Sequence, residues 1–229
     1  IFPFSGSLDH VGLLTRSVDD VAYAFDLLQH ISAQADEHVK PELDLDQKLV
    51  SNLNPRLAFL KTPFDHFISQ EQALAIQHAI SKLRSEGEID LPALFWDSLH
   101  SMTTLMFYEA AIVHQHHVKE FKHLLSEHIQ NLVTQGQAIT AIEYANAKNT
   151  QSQMRQSVVP YLSQYDALLT IPANGEAPLG LSSTGDPMFC SLWSFLGLPA
   201  ITMPIAKSRN NLPLGLQLVG KMTQDQRLL

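Results

Sequence analysis

Three short apolar runs near the end of the chain, Ala167–Ile171, Ile201–Ile205 and Leu214–Val219, restrict the fold more than any other feature. Each is bounded by Pro, Gly or Asn and is too short for a stable helix, so each reads as a strand of one sheet. Between them the apolar and aromatic stretch Pro187–Leu196 runs into Gly197, the pattern of a buried helix closed by a left-handed cap. A helix placed between strands buries its apolar stripe against the sheet, and the expected class is α/β.

Upstream the same logic repeats. Arg56–Leu60 reads as a strand, Ser69–Glu86 as a helix ended by Gly87 in a left-handed cap, and Ile89–Leu91 as a return to extended backbone before Pro92. A long helical stretch is expected over Ser98–Val133, with Gln135 and Gly136 punctuating its end. A second starts at Thr140, which can cap it together with Glu143, and stops before Pro160. At the other end of the chain, Ile1–Gly12 reads as a loop or short strand leading into a helix capped by Ser17, with Asp20 in its first turn. Val18, Val21, Ala22, Phe25, Leu28 and Ile31 recur at helical spacing and are expected to form its core face. From Ser32 to Pro55 the period fades and acids accumulate, as in an exposed connection. Those acids lack EF-hand spacing and its glycine, which argues against a calcium loop.

With 229 residues, 45% of them hydrophobic, the chain can bury one sizeable core. A formal charge of -8 without a basic run argues against a surface built for nucleic acid. Charged residues, Gly or Pro interrupt every apolar run, so no membrane span is expected. One cysteine, Cys190, allows no internal disulfide, and a cytoplasmic setting is favoured.

The order of several short motifs carries a resemblance. Ser5-Gly6-Ser7-Leu8-Asp9-His10-Val11-Gly12 is followed by Thr15-Arg16-Ser17-Val18-Asp19-Asp20. Near the end come Asp166-Ala167-Leu168-Leu169-Thr170-Ile171-Pro172, Gly185-Asp186-Pro187, Gly197-Leu198-Pro199-Ala200-Ile201-Thr202-Met203-Pro204 and Leu212-Pro213-Leu214-Gly215-Leu216-Gln217-Leu218-Val219-Gly220. No single motif is specific, but in this order the set resembles the C-terminal portion of the amidase-signature family, with Ile142-Glu143-Tyr144 also falling where the family has a similar feature. The resemblance implies an α/β fold with a mixed sheet covered by helices, in which residues 1–229 are the C-terminal portion of a single amidase domain. It implies hydrolysis of a carboxamide to acid and ammonia through a serine acyl-enzyme, with a lysine and a serine in a cis peptide activating the nucleophilic serine. No metal or organic cofactor is implied.

The family's Gly-Gly and Ser-rich signature precedes the Ser-Leu-Asp segment, and its lysine lies earlier still. Here the 10 glycines include no adjacent pair, and no lysine matches by context. No catalytic residue is therefore carried onto this chain, which alone is expected to be inactive. The chain also stops where the family usually continues into a final helix. Asp9, in the motif nearest the signature, is expected to support the active site, and Phe189, Cys190 and Trp193 are the candidates for shaping the substrate pocket. The implied partner is a small-molecule amide, the substrate of the intact parent, which would work alone or as a homodimer. Two alternatives stand beside this: the amidase subunit of a glutamyl-tRNA(Gln)-type amidotransferase, where a nucleic-acid-linked substrate enters, and a non-catalytic binding or scaffold module.

Other polar residues invite different chemistry. Ser7, Asp9 and His10 are neighbours in sequence, which seldom converge as a triad. His114, His116 and His117, near Glu109 and Glu120, form the most conspicuous polar cluster. On a helix His114, His117 and Glu120 share a face, but no HExxH pattern is present and a solvated face is the simpler reading. Cys190 lies among Met188, Phe189, Leu192 and Trp193, the surroundings of a packed thiol rather than a nucleophile.

Overall fold

The computed structural model describes residues 3–35, 54–83 and 85–229. Among them five strands form one mixed sheet: β1 (Leu57–Lys61), β2 (Glu88–Asp90), β3 (Ala167–Thr170), β4 (Ala200–Lys207) and β5 (Pro213–Val219), in the order β2-β1-β3-β5-β4. β1 runs parallel to β2 and β3, whereas β5 is antiparallel to both β3 and β4. The connections explain this division. β1 and β2 are joined through a helix, as parallel strands require, while β4 and β5 form a hairpin around residues 208–212.

Side chains alternate across the sheet with period two. Ala58, Leu60, Leu168 and Val219 join one core, and Leu57, Phe59, Ala167, Leu169 and Leu216 join another. All four residues of β3 are buried, the expected state of a central strand covered on both faces. The second core is closed by α2 (Gln70–Lys82) through Ile76 and Ala79. The first is closed by α3 (Ala93–Asp97), α4 (Leu99–Glu120), α6 (Ala141–Ser157), α7 (Val159–Ser163) and the C-terminal half of α8 (Met188–Leu196). Each buried Leu or Phe there stabilises the fold by about 1.5–3 kcal/mol relative to exposure.

The predicted stop signals are resolved case by case. Gly197 takes φ 70° after α8, and Leu198 N–H returns to Trp193 O at 3.0 Å, so this cap forms as expected. Gly87 does not cap α2. That helix ends earlier, with Leu83 N–H bonded to Ala79 O, and Gly87 at φ 141° leads into β2 with its carbonyl accepting Phe59 N–H at 2.9 Å. At Thr140 the full capping box forms with Glu143. Pro160 falls in the first turn of α7, where a missing N–H costs no helix bond.

The single helix expected over Ser98–Val133 is instead two. α4 stops at Glu120, a 3-10 turn covers Lys122–Leu124, and α5 (Glu127–Ala138) begins behind Ser126, whose Oγ accepts Ile129 N–H. Gln130 Nε2 donates to Lys122 O at 3.0 Å and Leu125 O at 2.9 Å, satisfying carbonyls that the break leaves open. Gly136 therefore lies inside a helix, where it brings α5 against the backbone of α4 at Phe107.

The first helix, α1 (Val18–Ala35), is capped by Ser17, whose Oγ accepts Asp20 N–H at 3.1 Å. Its predicted core face is not core. Val18 and Leu28 are exposed and Val21, Ala22 and Phe25 are only half-buried, because the helix lies at the periphery, where Gln226 Nε2 meets Asp26 Oδ1 at 3.2 Å. The side chain of Ile31 lies outside the described residues. Residues 32–35 continue α1 rather than starting the expected connection, and Asp36, Glu37, Glu42, Asp44 and Asp46 fall outside the described residues.

Candidate active site

The buried acid Glu109 collects the largest set of donors in the described structure. It sits midway along α4, between the buried Leu105 and Ala110, on the face that packs toward the core. Its carboxylate accepts Ser5 Oγ at 2.6 Å, Ser7 N–H at 2.8 Å, Ser7 Oγ through a short bond, and Tyr144 OH at 2.8 Å. Burial pushes its pKa upward, but the bonds from Ser5, Ser7 and Tyr144 together outweigh that, and the net shift is downward. Tyr144 responds oppositely: burial and the neighbouring Glu109 raise its phenol.

α6 supplies the rest of the network. Lys148 Nζ donates to Ser7 Oγ at 2.8 Å and to Gln151 Oε1 at 3.1 Å, while Gln151 Nε2 donates to Phe195 O at 2.9 Å. Because Lys148 is the donor and Ser7 already donates to Glu109, Lys148 and Ser7 are arranged as a clamp rather than as a base beside a nucleophile. Asp9 works from within the loop, accepting Phe4 N–H at 2.8 Å and Ser5 N–H at 3.0 Å. Both Asp9 oxygens are thereby engaged with backbone, and Ser7, Asp9 and His10 do not form a triad. Residues 4–9 are held by carboxylates on two sides.

A second polar cluster lies inside the sheet. Gln217, buried on β5, accepts Thr170 Oγ1 at 3.0 Å and donates to Thr202 Oγ1 at 3.3 Å and Cys190 Sγ at 3.8 Å. Cys190 Sγ donates to Pro172 O at 3.2 Å. Burial raises the thiol pKa, the opposite of what an activated nucleophile requires. The three pocket candidates do not share one environment. Phe189 is buried in the core beside α2, Trp193 is buried in the opposite core, and Cys190 lies between them, half-buried on the same helix.

The histidines diverge from the expected face. His116, rather than His114 or His117, pairs with Glu120 at 3.1 Å, and His114 lies against the ring of Phe4 at 5.5 Å. Burial, and then the nearby His117, lower the pKa of His114. Glu109 turns away from them toward the Ser5–Ser7 loop. Among the described residues no group of three His, Cys, Asp or Glu side chains is placed to hold a metal ion. None of the described helices is long and apolar enough to cross a membrane.

Sequence reading placed Glu109 beside the histidines and missed its role. The available signal was an acid flanked by Leu105, Ala110 and Ala111, a charge on an otherwise apolar helix face, together with Lys148 and Gln151 spaced three apart on α6.

A mixed sheet covered by helices, with the Ser-Leu-Asp loop anchored at its side, defines an α/β fold of the amidase type. The Amidase family profile matches residues 1–229, and the chain belongs to that family. It is 26% identical over 249 residues to 2-amino-5-chloromuconic acid deaminase of Comamonas testosteroni, covering 100% of this chain and 51% of that protein. To a glutamyl-tRNA(Gln) amidotransferase subunit of Campylobacter concisus it is 21% identical, covering 99% of this chain and 57% of the relative. Among solved structures, a crystal structure of an amidase superposes with a TM-score of 0.77 at 28% identity, over 99% of this chain and 52% of the other. The chain thus spans about half the length of the relatives it matches.

Proposed function

We propose that residues 1–229 are the C-terminal portion of a single amidase domain that hydrolyses a small carboxamide to acid and ammonia. In this reading a serine outside these residues attacks the amide carbonyl, ammonia leaves as the C–N bond breaks, and water cleaves the acyl-serine ester to release the acid. The observation that carries it is the family match along the whole chain, combined with coverage of only about half of each relative. Asp9 then acts as a support that fixes the loop nearest the nucleophile segment, since it bonds the backbone of Phe4 and Ser5. Cys190, the half-buried member of the α8 trio, borders the substrate, while Phe189 and Trp193 set the position of that helix from the two cores. The free thiol supports a cytoplasmic setting.

Ammonia release from a panel of carboxamides tests the reading, run on this chain and on the same chain extended upstream. Activity confined to the extended protein is the expected result. Metal-independent hydrolysis by residues 1–229 alone would sink the assignment of the nucleophile to another segment. A second reading, as the amidase component of a glutamyl-tRNA(Gln)-type amidotransferase, draws on the Campylobacter concisus relative. It predicts co-purification of the extended protein with a different chain, and no turnover of free amides without it.

A further inference from the structure

Glu109 is chemically conspicuous because nothing in the proposed acyl-enzyme reaction uses it, yet it is the most heavily engaged buried acid described. Its side chain joins three segments that are remote in sequence: the loop at Ser5 and Ser7, its own helix α4, and α6 through Tyr144. Tyr108 stacks on Tyr144 with ring centroids 4.3 Å apart, which fixes the phenol that donates to the carboxylate. Ser5 is 1% exposed, so its hydroxyl has no bulk water to bond in place of Glu109. A carboxylate offers about four acceptor positions, and here four bonds fill them. That match is geometric: an amide in the same place keeps one acceptor oxygen and brings two donors toward groups that are themselves donors.

We propose that Glu109 is a positioning residue for the amidase reaction: it seats the Ser5–Ser7 loop, and so fixes the direction in which the polypeptide enters that loop from the nucleophile side. The role rests on the functional reading above. Glu109 does not touch substrate. Asp9 clips the loop to itself, while Glu109, Lys148 and Gln151 hydrogen-bond it to the helical layer, beside the apolar contacts of Phe4 with His114 and of buried Leu8. Displacing an attacking group by about 1 Å costs on the order of 100-fold in rate, so a loop held this way is a sensitive point.

The test uses the upstream-extended protein with Glu109→Gln, with Ser5→Ala and Ser7→Ala together, and with all three substitutions. Glu109→Gln is expected to lower kcat roughly 10- to 100-fold while KM stays within about 2-fold, the signature of lost alignment rather than lost binding. The serine pair should give a similar drop, and the combined variant should fall no further than about 2-fold below the worse of them, since one interaction is removed twice. Amide hydrogen exchange over residues 4–9 should quicken in each variant, with the remaining core protected. Should Glu109→Gln fail to fold, the serine pair carries the same kinetic and exchange readouts. A folded variant with kcat within about 2-fold of the parent, or losses that multiply in the combined protein, would overturn the proposal. If the unsubstituted extended protein releases no ammonia from any amide, it is the functional reading that fails, and this role falls with it.

Discussion

Gly136 is the position where one added methyl group should do most damage. A Cβ built there lies 2.0 Å from the carbonyl oxygen of Phe107, 2.6 Å from its carbonyl carbon and 2.8 Å from Cβ of Ala111. Carbon and oxygen normally approach no closer than about 3.3 Å, so α5 must move away from α4 by an amount on the order of 1 Å. The obstacle is backbone, which cannot rotate aside as a side chain would. Opening the interface loosens the packing of Leu132 and Val133, both buried on α5, and a gap of roughly that size forfeits a quarter to a half of each dispersion contact. Overpacking of this kind costs about 1–3 kcal/mol. Alanine regains nearly 1 kcal/mol in helix propensity, which makes the net loss about 2 kcal/mol only if the clash sits at the upper end of that range, as contact with backbone dictates. For a chain of this size the melting temperature should fall by roughly 4–8 °C. Urea unfolding of Gly136→Ala should show a lower midpoint with an unchanged slope. Gln135→Ala, at the exposed neighbouring position, reports the propensity effect alone and should be neutral. A Gly136→Ala protein as stable as the parent, or more stable, would refute the close approach of these helices.

Glu109 makes a pH prediction whose sign follows from its lowered pKa. Its contribution to stability is complete above the unfolded carboxylate range near ~4.3 and is lost as pH falls through the lower folded value. Glu109→Gln should therefore remove part of the stability difference between neutral and acid pH in denaturant titrations; an identical pH dependence in both proteins argues against the bonded carboxylate. Thr140→Ala, which removes the capping box of α6, should cost about 1 kcal/mol in urea unfolding, and an unchanged midpoint would show that the cap contributes nothing. Cys190, with its thiol pKa raised by burial, should react with iodoacetamide at pH 8 at least about tenfold more slowly in the native protein than in denaturant. Equal rates would contradict the packing of its thiol against Pro172 and Gln217.

Local chemistry was legible wherever it acted within a few residues. Thr140 with Glu143, Ser17 with Asp20, and the left-handed Gly197 are fixed by neighbours in the chain, so their backbone consequences follow from sequence alone. The short runs of β3, β4 and β5 were equally readable, because Pro, Gly or Asn bound them and each is apolar over most of its length. Where a glycine's role depends on what lies opposite it, sequence was a poor guide. Gly87 read as a helix cap but serves the lead-in to β2, and Gly136 read as a stop but is a contact point between two helices. The apolar stripe of α1 shows the same limit, since periodicity identifies a face without saying what covers it.

The polar network around Glu109, apart from the local Lys148–Gln151 bond, belongs to the tertiary structure. Ser5 and Ser7 lie 104 and 102 residues from the acid they bond, and Lys148 lies 141 residues from Ser7. Sequence determined that this chain forms an α/β fold of the amidase type, because strand runs, caps and short motifs are written locally and in order. Only the packing of α4 and α6 beside the N-terminal loop decided which acid receives those serines, because a hydrogen bond is selected by distance in space and the chain records only distance along itself.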